Sequence, residues 1–104
     1  MLQRMTPKDY SEFWERESAQ FARDNIYARL SQLVPEEPTL EVGCGAGWST
    51  LSLATTRAVL AIDNNAHLIG LAQSRLNDNG VMAQIIQSDL FEPSPNLLRA
   101  IQAF

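Results

Sequence analysis

Residues 39–47 read Thr-Leu-Glu-Val-Gly-Cys-Gly-Ala-Gly, a short apolar strand that runs into glycine at every second position. Gly43, Gly45 and Gly47 carry no Cβ, so the backbone can turn sharply and a ligand can approach the main chain. Trp48-Ser49-Thr50-Leu51 then opens a helix whose first N–H groups favour polar ligand atoms. Strand, glycine loop and helix in that order make a small-molecule site; the alternative is a glycine-rich turn that holds nothing. Spacing narrows the ligand. A dinucleotide fingerprint places glycines at the first, third and sixth loop positions, and the sixth position from Gly43 is Trp48. A phosphate-gripping loop ends in Gly-Lys-Ser/Thr, whereas the chain's one lysine is Lys8.

Two further acids follow the loop. Asp63 ends an apolar run about 20 residues beyond Gly43, where the acid of a doubly wound sheet accepts both hydroxyls of a ribose. It could instead cap the helix that follows. Asp89 stands in Ser88-Asp89-Leu90-Phe91, after the next apolar stretch, where an aspartate also serves as a turn former. Glu41 lies inside an otherwise apolar strand, so its carboxylate needs a partner. Cys44 reads as a small buried filler, since no base stands near it in sequence. His67, in the first turn of its helix, reads as a surface or capping residue. One Cys and one His are too few for a tetrahedral zinc site.

The run Glu41-Val42-Gly43-Cys44-Gly45-Ala46-Gly47, followed by Asp63 and then Asp89, resembles the first motifs of the class I S-adenosylmethionine-dependent methyltransferases. The resemblance implies S-adenosyl-L-methionine as cofactor, with its methionine and ribose portions over a loop that has no phosphate to grip. It implies cofactor contacts at Glu41, Gly43, Cys44, Gly45 and Gly47, the ribose hydroxyls on Asp63, and the adenine amino group on Asp89. Leu90 then packs on the adenine ring and Asn64 lines its pocket. For Glu41 it suggests backbone donors of the glycine loop, or water on the cofactor's ammonium group, as partners. Neither a catalytic residue nor the methyl acceptor is identified.

The likeness covers roughly residues 38–92, and the family sheet has seven strands with the first one central. The tail from Asn96 to Phe104 stands where the fourth strand should soon begin, so the resemblance implies an amino-terminal cofactor-binding half. It acts as a methyltransferase on an unidentified acceptor, or as a non-catalytic or truncated binding module completed by a partner or second copy. The exposed edge of the first strand is the expected association site.

The elements that must position these residues follow from the pattern. Thr6-Pro7-Lys8-Asp9 is a helix start, with Thr6 to cap and Pro7 in the first position. Tyr10, Phe13, Trp14, Ser18 and Phe21 then recur at helical period. That face is expected to dock the helix onto the sheet; the alternative is that Tyr10 or Trp14 forms a lid over the cofactor or acceptor. Asp24-Asn25 breaks the helix, and a second one contains Ile26, Tyr27, Leu30, Leu33 and Val34. Pro35-Glu36-Glu37-Pro38 is a rigid connector that separates a helical segment, 1–37, from an α/β half-domain, 38–104. Strands are expected at Leu40–Val42, Ala58–Ile62 and Ala83–Gln87, with helices from Gly47 to about Thr55 and from Asn65 to about Asn77. Short connections between alternating strands and helices imply right-handed crossovers and a partial doubly wound parallel sheet, order 3-2-1.

Composition sets the outer bounds. With 104 residues the chain has room for one modest core. A net charge of −4 argues against an electrostatic nucleic-acid or anionic-membrane footprint. The single cysteine gives no internal disulfide and fits a cytoplasmic protein. The amino-terminal residues lack the apolar core of a signal peptide, and the longest apolar run, Ala58–Ile62, is far short of a membrane span.

Overall fold

The computed structural model describes residues 6–104, so the signal-peptide reading lies partly outside the described residues, at 1–5. Thr6 accepts from the Asp9 backbone N–H at 3.1 Å while the Asp9 carboxylate reaches back to Thr6, a capping box that starts α1, Pro7–Arg23. Asn25, at φ +60°, turns the chain into α2, Ile26–Ser31. The second helix therefore stops short of Leu33 and Val34. Val34 precedes Pro35 and is pushed out of helical geometry, leaving Leu33 80% exposed. The guanidinium of Arg57 closes this end by donating to the carbonyls of Ser31, Val34 and Pro35.

Strands β1, Thr39–Val42, β2, Val59–Asp63, and β3, Gln84–Gln87, form a parallel sheet in the order β1-β2-β3. This is the expected three-strand order. Leu40 pairs with Leu60, Val42 with Ile62, and Ile62 with Ile86. Helices α3, Trp48–Ala54, and α4, Ala66–Asp78, pack on one face. There Val59, Ala61 and Cys44 meet Leu53 and Ile85. Helix α5, Pro95–Ala103, covers the other face, with Leu97 and Ala100 on Leu60, Ile62 and Ile86. The central strand is thus buried on both sides, which explains its unbroken apolar run.

Two expectations need correction. The α1 helix packs chiefly on α2, α3 and α4, not on the sheet, because the near face of the sheet is already taken by α3 and α4. The second and third strands begin one residue later than the apolar runs suggest, and β2 extends through Asp63, whose carbonyl accepts from Ser88 at 3.0 Å. Strand β1 pairs only with β2 among the described residues, and α5 does not reach across to it. Leu40 and Val42 accordingly stay 43% and 51% exposed on the face where their register partners are buried. No helix of the described residues is long and apolar enough to cross a membrane.

Candidate functional site

The glycine loop leaves β1 at the carboxyl end of the sheet, where ligands of open α/β sheets bind. The N–H groups of Gly43 and Cys44 both donate to the Ile62 carbonyl, at 2.8 and 3.0 Å, which carries the strand pairing into the loop. Gly47, at φ +87°, turns the chain into α3 against the backbone of α4. A Cβ there would lie 2.8 Å from both Cα and Cβ of Ala72. Arg75, one turn further along α4, donates to the Ala46 carbonyl and lays its guanidinium 3.9 Å from the centre of the Trp48 ring. Gly47 is therefore a packing residue behind the loop, and Arg75 is a tether that motif spacing gave no means to find.

Asp63 ties the loop to the second strand. One carboxylate oxygen accepts from Gly45 N–H and the other from Asn65 N–H, each at 2.9 Å. Each oxygen keeps one lone pair for a ligand. Asp63 is not the cap of α4; Asn65 fills that place, accepting from Leu68 N–H at 3.0 Å and pairing with Ser11 of α1. Asp89 forms a turn through one oxygen, which accepts from Phe91 N–H at 2.8 Å, and the other has no donor among the described residues.

Glu41 finds a different partner from those the resemblance suggested. Its carboxylate points into the first turn of α3, where the Ser49 and Thr50 hydroxyls donate one to each oxygen. These donors are aimed by the helix start, while the loop N–H groups of Gly43 and Cys44 go to Ile62 and that of Gly45 to Asp63. Burial holds the Glu41 carboxyl above the usual carboxylate range, against the pull of the two hydroxyls. A raised folded pKa means the native state keeps the proton longer. The associated stability is complete below the ordinary value, 4.5, and is lost as pH rises through the folded value. Glu41→Gln, which cannot ionise, should therefore gain stability relative to the wild type between pH 4.5 and about pH 7.5. Urea unfolding at the two pH values reads this directly, and a constant or shrinking difference contradicts it. Burial, followed by the charges of Glu41 and Asp63, pushes the Cys44 thiol up to about 12, so it is no nucleophile at neutral pH.

Two cavities open on these residues. One, of about 290 Å³, has Gly43, Cys44 and Gly45 as its floor, with Tyr10, Trp14 and Tyr27 among its walls. The second, of about 360 Å³, lies between the ends of β2 and β3 and takes in Asn64, Asp89 and Leu90. Tyr10, Gly43 and Asp63 border both, so the two form one groove with Asp63 at its junction. Among the described residues no Lys, Arg or His lines either cavity. Of the expected site residues, Gly43, Cys44, Gly45, Asp63, Asn64, Asp89 and Leu90 are brought together along this groove, while Glu41 and Gly47 stand behind it.

The sequence from residue 39 to residue 100 matches the family model described as a methyltransferase domain. The chain belongs to this family. Among curated proteins no match is found. The fold of this methyltransferase domain is shared by several solved structures. A candidate S-adenosyl-L-methionine-dependent methyltransferase of Methanococcus maripaludis is 19% identical over 86% of this chain and 46% of its own, with a TM-score of 0.69. An S-adenosylmethionine-dependent methyltransferase of Clostridium acetobutylicum is 16% identical over 88% of this chain and 33% of its own, at 0.54. Phosphoethanolamine N-methyltransferase 1 of Haemonchus contortus, in complex with phosphoethanolamine and S-adenosylhomocysteine, is 20% identical over 82% of this chain and 22% of its own, at 0.51. The domain described here thus spans less than half the length of each of these structures.

The α1 and α2 aromatics are the part of the domain's groove that motif reading underweighted. Tyr10 and Trp14 were expected at a buried docking face, yet they line the cavity over the glycine loop and remain 47% and 41% exposed. The helical period correctly grouped them on one face; it carries no information on whether that face meets protein or a cavity.

Proposed function

We propose that the groove holds S-adenosyl-L-methionine and that the chain serves as the cofactor-holding part of a methyltransferase. One observation carries this reading: an aspartate at the junction of two cavities, glycine floor on one side and Asp89 with Leu90 on the other, with no basic side chain in either lining among the described residues. Such a groove suits an elongated ligand that carries ribose and no phosphate. The buried indole N–H of Trp48, which has no hydrogen-bond partner among the described residues, borders the same site.

When bound, this cofactor supplies a methyl group on a positively charged sulfur. On this reading Asp63 takes the ribose hydroxyls on the lone pairs that Gly45 and Asn65 leave open. The free oxygen of Asp89 accepts from the adenine amino group, with Leu90 on the ring and Asn64 beside it. Glu41 and Gly47 act from behind, setting the start of α3 and its seat on α4. Acceptor binding and transfer belong to further polypeptide, a partner or a second copy joined at the free edge of β1, which the chain's share of the solved structures' length supports. We place this activity in the cytoplasm, in keeping with the single unpaired cysteine.

Calorimetric titration of the native chain with S-adenosylhomocysteine and with S-adenosylmethionine tests the reading. Saturable one-to-one binding is expected. Absence of heat with both ligands at millimolar concentration, or tighter binding of a dinucleotide, overturns it.

A further inference from the structure

Three rings line the cavity over the glycine loop: Tyr10 and Trp14 from α1, and Tyr27 from α2. Tyr10 and Trp14 meet edge to face, their centroids 6.3 Å apart, and both line the cavity while staying partly exposed. The remaining aromatic residue of the lining, Trp48, already carries the Arg75 guanidinium over its ring. Within the lining, Asp63 is the one charged side chain among the described residues, and the Arg75 guanidinium stands behind Trp48 and Ala46. Glu41 stands close enough behind the lining that its charge adds to burial in raising both Tyr27 and Cys44. Among the described residues no Lys, Arg or His side chain is part of the lining itself.

Aromatic faces beside a carboxylate attract a cation, and the attraction grows as water is excluded. We propose that the Tyr10–Trp14 wall makes the groove select the sulfonium form of its ligand, S-adenosylmethionine, over the neutral thioether S-adenosylhomocysteine. This inference rests on the cofactor reading above. The two ligands share adenine, ribose, ammonium and carboxylate groups; they differ by the methyl group and the charge on sulfur. Their affinity ratio therefore isolates what the wall contributes.

The experiment compares the dissociation constants of both ligands for the native chain by calorimetry at one pH and one salt concentration. The wild type should favour the sulfonium by about 2- to 30-fold, the span that a cation over an aromatic face gives between exposed and desolvated settings. Tyr10→Leu with Trp14→Leu keeps apolar bulk and removes the ring faces, and should bring the ratio near one. Tyr10→Phe alone keeps a ring, and should keep the ratio. A wild-type ratio of one or below, or an unchanged ratio in the double leucine variant, overturns the proposal. If both ligands bind equally, selectivity alone is refuted. If neither binds, the cofactor reading fails and takes this inference with it.

Discussion

Asp63→Ala should lower the affinity for S-adenosylhomocysteine by about 10- to 100-fold, the scale of one or two lost hydrogen bonds to a charged group. The effect is large because one carboxylate has two duties. It fixes the glycine loop through Gly45 N–H and the start of α4 through Asn65 N–H, and its remaining lone pairs face the groove. Removing it orphans two backbone donors, so the thermal midpoint should fall as well, by an amount corresponding to about 1–3 kcal/mol. Asp63→Asn separates the duties. The amide keeps one acceptor oxygen, so one of the two tethers survives while the paired acceptor set is lost. It should recover part of the stability and little of the affinity. Calorimetry and thermal unfolding on the same preparations measure both. Binding by the alanine variant within about twofold of the wild type would remove Asp63 from the ligand site.

Gly47→Val is expected to be the most destabilising single change in the loop. A left-handed backbone at φ +87° costs a branched residue about 1–3 kcal/mol. Forcing a Cβ to 2.8 Å from Ala72 adds an overpacking cost of about 1–3 kcal/mol. Against a total stability on the order of 5–15 kcal/mol, their sum leaves little of the native state in reserve. Gly45→Ala provides the control: its φ is +55°, but an added Cβ meets nothing within 4 Å, so only the backbone cost applies. Pairing Gly47→Val with Ala72→Gly should restore only the part of the clash due to the Ala72 Cβ, and none of the part due to its Cα or to φ. Chemical denaturation of the wild type, Gly47→Val, Ala72→Gly and the double variant gives the cycle. Equal losses for Gly45→Ala and Gly47→Val would show that the close approach to α4 carries no weight.

The contrast between these two glycines shows where the sequence was legible. Strand, loop and helix could be read from Thr39 to Ala54 because local rules act there: an apolar run, a glycine at every second position, and a helix start. The order of the three strands followed from crossover handedness, a global consequence of local twist. The alternation of glycines does not reveal that Gly47 is needed for Ala72, 25 positions away by number (72 − 47). That contact exists only once α4 has packed on α3. Arg75 and the hydroxyls beneath Glu41 escaped for the same reason. A charge inside an apolar strand announces that a partner is required, but not which donor the fold will deliver. Periodicity places Tyr10 and Trp14 on one face but does not choose between docking and the alternative of covering the site; α3 and α4 occupy the sheet surface, and the two rings line the cavity over the glycine loop.

The placement of α1 has a thermodynamic consequence. Its one fully buried side chain is the small, polar Ser11, bonded to Asn65, so little apolar area fixes this helix to the body. Yet two of its aromatic residues wall the groove. Helix order and ligand occupancy are then two readings of one linked equilibrium, and linkage is reciprocal. Whatever loosens α1 weakens the ligand by the same factor that the ligand tightens α1. On the cofactor reading proposed above, affinity in this domain is set partly by a helix that precedes the glycine motif and contributes no residue to it.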